Sequence, residues 1–158
     1  MKKLLVFSVT FIIIFMCGCS KESKFGVQQL VERMNTTFET DFRTEEFLLS
    51  KDDNGNSLFL TRNGKLILLS LDNDNNIKGI SLLITADESI ENSQELYCQL
   101  CSVFTGNDLE KQKGIFNEAE FFSDKIKFAD SNSLITVGRY KYSIICNAYA
   151  ITFFCDRI

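Results

Sequence analysis

The sequence predicts an α+β domain, with an N-terminal helix, a four-strand antiparallel meander, a helical middle and a C-terminal β-hairpin, the helices packed on one face of the sheet. Three observations carry this. Val27, Leu30, Val31, Met34 and Phe38 recur at helical spacing and lay one apolar stripe along a helix of about four turns. Residues 47–50, 58–61, 66–71 and 77–85 are runs rich in Leu, Ile and Phe, and each gap between them carries a turn signal. The end of the chain alternates apolar and polar residues around Asn147-Ala148, as a hairpin with one buried face requires.

Taking the elements in order, the first stripe needs a sheet to cover it. In the meander, Asn54-Gly55 and Asn63-Gly64 suit type I′ turns, whose two central residues both need positive φ. Asn92 with Glu95 three residues later resembles a capping arrangement, and Gly106 is a C-terminal stop, which brackets a helix through Leu96, Leu100, Val103 and Phe104. From 108 to 124 the pattern suggests one or two short helices broken near Gly114. If Asn147-Ala148 is a two-residue turn, then Cys146, Ile144, Tyr142 and Tyr140 face Tyr149, Ile151, Phe153 and Cys155, all on one face. A slightly longer loop is an equal alternative, because Ala is a poor residue for positive φ. That face either closes over the core or stands open as an aromatic binding strip. Joining the hairpin to the meander makes a sheet of about six strands.

Four cysteines lie in this domain: Cys98, Cys101, Cys146 and Cys155. In the two-residue-turn register Cys155 is six residues along the strand from Cys146, roughly 20 Å at about 3.3 Å per residue. That is beyond disulfide reach, so the two are not expected to bond to each other. Cys98-Gln99-Leu100-Cys101 has CxxC spacing but falls in mid-helix, away from the helix N-terminus that would stabilise a thiolate. On a wheel of about 100° per residue with Leu96 at zero, the apolar group centres near about 30° and Cys98 near about 200°, so Cys98 is expected to face away from the core. Free thiols, a disulfide from this helix to the hairpin, a four-Cys zinc site and thiol chemistry all stay open.

Composition excludes more than the motifs include. Histidine is absent, which removes the usual general base, the Ser-His and Cys-His nucleophile pairs and imidazole-bound zinc. Fifteen Phe in a chain that is 45% hydrophobic supply ample core for one domain, residues 25–158. The net charge of −4 becomes −6 once Lys2 and Lys3 are removed with a leader, and no run of Lys or Arg follows. Nucleic acid is therefore not an expected partner, nor are anionic head groups. Asp52-Asp53-Asn54 and 72–76 look calcium-like, but an EF-hand loop counted from Asp72 needs Gly and Glu where Ile77 and Leu83 stand, so both read as turns. Glu45-Glu46 and Glu118 with Glu120 are carboxylate pairs that nothing in the sequence brings to a shared cleft. No cofactor and no metal site is expected.

The N-terminus reads differently. Met1 to Lys3 are a positive start, and residues 4–15 form an apolar stretch of signal-peptide length, short for a membrane span of about 20 residues. Met16-Cys17-Gly18-Cys19 then resembles the lipobox of bacterial lipoproteins, with Gly18 preceding the Cys that would receive a diacylglyceryl group. Met16 stands where that family prefers Leu, and Cys17 where Ala, Ser or Thr is common. The resemblance implies residues 1–18 as signal peptide, Cys19 as the lipidation site and residues 19–24 as lipidated Cys and short tether. It implies a chain anchored through lipid on the extracytoplasmic face of the cell membrane.

The lipobox with the richness in Ile, Asn, Lys and Phe makes the whole similar to small lipoproteins of low-GC Firmicutes. The order helix, four strands, helix is loosely similar to TATA-binding-protein-like and cystatin-like domains, a likeness that would not settle function. No GxSxG, P-loop, GxGxxG or HExxH pattern is present. The leading expectation is a non-enzymatic binding or interaction module at the cell envelope, contacting an envelope or secreted protein or a small ligand. The alternatives are an envelope enzyme using carboxylates or the Cys98/Cys101 thiols, and a structural spacer or assembly subunit.

Overall fold

The computed structural model describes residues 24–52, 55–85, 91–122 and 132–158. The expected signal peptide, Cys19 and most of the expected tether lie outside them. The domain is α+β: three α-helices and seven strands among the described residues, the strands in one fully antiparallel sheet.

Helix α1 (Val27–Phe38) buries Leu30, Val31 and Met34, the stripe its spacing predicts. Gly26 N–H donates to Gln29 Oε1 at 3.0 Å to start it, and Ile77 N–H donates to Phe25 O at 2.7 Å, tying its entry to the middle of the sheet. After α1, Asn35 clamps the returning chain, donating to Phe42 O at 2.8 Å and accepting from Phe42 N–H at 2.9 Å. A 3-10 turn (Thr44–Glu46) leads into the meander: β1 (Leu48–Asp52), β2 (Gly55–Arg62), β3 (Lys65–Leu71) and β4 (Ile77–Thr85).

The β2–β3 turn is the type I′ pair that sequence anticipates, with φ of 50° at Asn63 and 77° at Gly64. The Asn54-Gly55 turn falls partly outside the described residues. Between β3 and β4, Asp72 folds the loop on itself, its carboxylate accepting from the N–H groups of Asp74 at 2.9 Å and Asn76 at 2.8 Å. Those bonds and the Asn76 side-chain amide hold the Asp72 pKa below its ordinary value. This acidic cluster thus does the work of a turn.

Helix α2 (Glu91–Thr105) ends where expected, at Gly106 with φ of 78° and its N–H on Ser102 O at 2.9 Å. It is already helical at Glu91, two residues before the Ser93 start that an Asn92 cap implies, so Asn92 is a helical residue rather than the cap, and Glu95 reaches across to Lys113 at 3.0 Å. Helix α3 (Leu109–Glu118) is capped by Asp108, which accepts from Lys111 N–H at 2.7 Å, and it runs through Gly114 unbroken. Mid-helix Gly costs about 1 kcal/mol relative to Ala, too little to break a helix closed well at both ends. The closure is a Schellman turn: Glu120 takes φ of 48°, Phe121 N–H donates to Phe116 O at 2.9 Å, and the two Phe rings lie 4.8 Å apart.

The C-terminal part holds one strand more than the sequence predicts. An edge strand β5 (Asn132–Val137) precedes β6 (Tyr140–Cys146) and β7 (Ala150–Arg157), and the sheet order is β1-β2-β3-β4-β7-β6-β5. The hairpin joins the meander's own sheet, giving seven strands rather than about six. Strand β5 is hard to read because it is half solvated, with Ile135 packed against the core while Leu134 and Val137 are exposed.

The hairpin register also differs from the two-residue-turn version, by two positions. Cys146 pairs with Ile151, Ile144 with Phe153 and Tyr142 with Cys155. Asn147 Oδ1 accepts from both Tyr149 N–H and Ala150 N–H at 2.8 Å, which builds a longer loop with no positive φ at Ala148. An even slip preserves the face of every paired residue, but it leaves Tyr149 in the loop, 85% exposed, instead of opposite Cys146.

The register places Leu60, Ile67, Leu82, Phe153 and Ile144 in one buried cross-strand row. Against that face Tyr97 of α2 sits 5.1 Å from Phe153, Phe104 lies 5.5 Å from Tyr140, and Phe116 of α3 lies 5.2 Å from Tyr142. The Tyr97 hydroxyl is satisfied by donating to Phe154 O at 2.5 Å. Among the described residues no helix is long and apolar enough to cross a membrane.

Candidate functional site

Strands β3, β4 and β7 are apolar at both parities, as in Leu66-Ile67-Leu68-Leu69, Leu82-Leu83-Ile84 and Phe153-Phe154, so the sheet has two apolar faces and the core uses one. On the other, one row crosses all seven strands: Leu48, Phe59, Leu68, Ser81, Phe154, Ser143 and Leu134. A second row runs beside it through Thr61, Leu66, Leu83, Thr152, Ile145 and Asn132. The eight large apolar residues of these rows neither belong to the buried core nor pack against it. At the ends of the first row Leu48 is 56% and Leu134 60% exposed.

A third row is polar, with Ser57, Ser70, Gly79, Asp156, Lys141 and Thr136 in register. Gly79 is the residue that admits Asp156, whose carboxylate lies where any Cβ at 79 would stand. Burial raises the Asp156 pKa, against the pull of Lys141 and Lys78. The folded state therefore binds this proton more tightly than the unfolded chain. Below the unfolded value both states are protonated and there is no penalty; as pH rises through the folded value the penalty becomes complete. Asp156→Asn is thus expected to be more stable than the parent at pH 7 and to lose that advantage towards pH 4, as urea unfolding at the two pH values would show. A parent more stable at pH 7 would mean that the lysines outweigh burial.

Of the two readings of the hairpin's apolar face, it closes over the core and is not an exposed aromatic strip. Tyr140, Tyr142 and Phe153 are buried core, while on the other face of the hairpin Ile145 is exposed and Phe154 half-buried. The signal for this second apolar face was legible in the doubled apolar runs of β3 and β4, which a half-solvated sheet does not need.

The four described cysteines are all buried, and none of them forms a disulfide with another. Cys98 is 3% exposed, against the expectation that it faces away from the core. The wheel assumed one covered side, whereas α3 covers a second, and Lys113 and Phe122 line a small cleft beside the Cys98 thiol. Burial, reinforced by Glu95, pushes its pKa up to about 12. Of the helix-to-hairpin pairs, Cys101 and Cys155 are brought thiol to thiol in the core next to Tyr97, and burial raises the Cys101 pKa too. This environment gives no support to a nucleophilic Cys98 or Cys101. All four thiols are expected to resist iodoacetamide in the native protein at pH 8 and to react in guanidinium; labelling of native Cys98 within minutes would contradict that.

The carboxylate pairs serve local structure. Glu46 accepts from Arg43 N–H at 2.9 Å at the 3-10 turn, and Glu120 holds the left-handed position that ends α3. Among the described residues no three His, Cys, Asp or Glu converge as a metal site. An apolar-walled cavity of about 240 Å³ lies among Phe42, Arg62, Ile67 and Leu96. It is below the usual range for organic ligands of about 300–1,000 Å³, and Arg62 is already held by Asp41 and stacked 5.0 Å over Phe42. No family model, curated protein or solved structure matches the chain.

Proposed function

We propose that this chain is a lipid-anchored, non-enzymatic interaction module on the extracytoplasmic face of the cell membrane, and that its apolar sheet face is the docking surface. In this reading all three helices pack on one side of the sheet and the other side stays open for a partner. The observation that carries it is the pair of adjacent rows, one running from Leu48 to Leu134, that together set eight large apolar residues outside the core. Contiguous apolar surface rimmed by polar residues marks interaction sites.

The occupant this face fits is a second copy. A two-fold axis along β4 sets Ser81 on Ser81, Leu68 over Phe154, Phe59 over Ser143 and Leu48 over Leu134, and in the next row Leu83 on Leu83 and Leu66 over Thr152. Apolar residues meet apolar ones at Leu68/Phe154, Leu48/Leu134 and Leu83/Leu83, Phe59 and Leu66 meet Ser143 and Thr152, and in the polar row Asp156 meets Ser70 and Lys141 meets Ser57, so no like charges oppose. Seven strands at about 4.8 Å by about seven residues at about 3.3 Å cover roughly 780 Å², near the ~800 Å² per partner of a standard interface.

The test is cross-linking in cells that express the tagged chain, beside Leu68→Glu. A cross-linked species of twice the mass, lost in Leu68→Glu at unchanged monomer level, supports the reading. A different protein captured through the same face would replace the second copy as occupant. Neither species, with the variant indistinguishable from the parent, would overturn the docking face.

A further inference from the structure

We propose that Cys101 of α2 and Cys155 of β7 are a disulfide-forming pair, whose bond fastens this helix to the sheet. Contacts on either side fix their placement. Tyr97 lies 5.1 Å from Phe153, and its hydroxyl donates to Phe154 O at 2.5 Å. Farther along, Phe104 lies 5.5 Å from Tyr140 and carries Arg157 5.4 Å over its ring. The side chains of α2 thus follow β7 in step, Tyr97 with Phe153 and Phe104 with Arg157. Cys101 is one helical turn after Tyr97, and Cys155 is the next core-facing residue after Phe153, so the two meet between these anchors. Both are wholly buried, their thiols are in hydrogen-bonding contact, and the Tyr97 hydroxyl also hydrogen-bonds Cys101.

The other pairings are placed less well. Cys146 is four residues along β6 from Tyr142, the partner of Cys155, which is about 13 Å at about 3.3 Å per residue and beyond disulfide reach. Cys98 turns to the cleft with Lys113 and Phe122, and a bond from it to Cys101, three residues on in the same helix, would tie nothing to the sheet.

The oxidant is a small-molecule disulfide, RSSR, of the kind held in oxidising compartments. Its supply rests on the extracytoplasmic address proposed above; the geometry of the pair does not. One thiol gives its proton to solvent, and its sulfur attacks RSSR, breaking that S–S bond and releasing RS⁻. The second thiol, likewise deprotonated, attacks the mixed disulfide and releases another RS⁻. The two RS⁻ take up the two protons, so one RSSR becomes two RSH and the two protein thiols become one disulfide. Because reagent reaches neither thiol in the folded, reduced domain, the bond forms during folding, before α2 docks. It closes a loop that holds α3, β5 and β6 and so restricts the unfolded chain.

The experiment refolds the reduced full chain from guanidinium in maltoside micelles with oxidised glutathione as RSSR. The product is alkylated with iodoacetamide in guanidinium and its peptides are mapped without reductant. Cys101 and Cys155 are expected in one linked peptide pair, with Cys98 and Cys146 alkylated, against all four alkylated in the reduced chain. Tm should rise by on the order of 10 °C over the reduced chain. Cys101→Ala should lose both the link and the rise, and Cys98→Ala should keep both. All four alkylated after oxidative refolding, a link between any other two, or a linked product melting no higher than the reduced chain would overturn the pair. Cells quenched in acid before alkylation supply the second arm. A linked peptide there supports bond and address together; a link made in vitro but absent in cells keeps the pair and counts against the extracytoplasmic address.

Discussion

Phe153→Ala is expected to cost about 3–5 kcal/mol of folding free energy, whereas Phe154→Ala, one residue along, is expected to cost about 1 kcal/mol. Phe153 is fully buried on β7, paired with Leu82 of the central strand β4 and with Ile144 of β6. Its ring lies 5.1 Å from Tyr97 and 6.2 Å from Phe122, so truncation loses the transfer free energy, opens a cavity and removes two ring contacts. For a domain with a stability of about 5–15 kcal/mol, that is a large share of the total. Phe154 points to the other face and stands outside the core, so the same truncation creates no closed cavity. Guanidinium unfolding followed by circular dichroism measures both. Equal losses would mean that Phe154 is as enclosed as Phe153, and the open face would be withdrawn.

Cys19→Ser is expected to abolish acylation altogether, while Cys17→Ser leaves it intact. Two or more acyl chains at about 0.8 kcal/mol per buried CH₂ make an essentially permanent anchor, so the effect on membrane attachment through lipid is all or none. Fatty-acid label incorporation and the mass of the mature N-terminal peptide read the outcome. Label retained in Cys19→Ser would move the modification elsewhere; no label in the parent would leave residues 4–15 as an uncleaved anchor. The Phe25 O to Ile77 N bond ties the start of the described residues to the sheet, and the five residues from Ser20 to Lys24 can span at most about 18 Å.

These two substitutions differ in where their rationale comes from. Helix α1, the four meander strands, the Asn63-Gly64 turn and the Gly106 stop were legible because each depends on nearest neighbours: a 3.6-residue stripe, a run bounded by turn residues, a φ that glycine or asparagine tolerates. The hairpin was legible as a hairpin, and its register missed by two, since the Asn147 side chain selects the longer loop and both registers bury the same face. Strand β5 was missed because two of its three large apolar residues, Leu134 and Val137, are exposed on an edge.

The sequence by itself therefore determined the local elements, the doubled apolar parity of the central strands, the absence of imidazole chemistry and the expectation of a lipid anchor at Cys19. Only the tertiary structure decided which parity of the central strands enters the core, because alternation marks two faces and not which of them is buried. It alone buried Cys98, since a second covering helix lies outside what one helical wheel can represent. It alone brought Cys101 to Cys155, because residues far apart in sequence meet only when the side chains of α2 pack along β7.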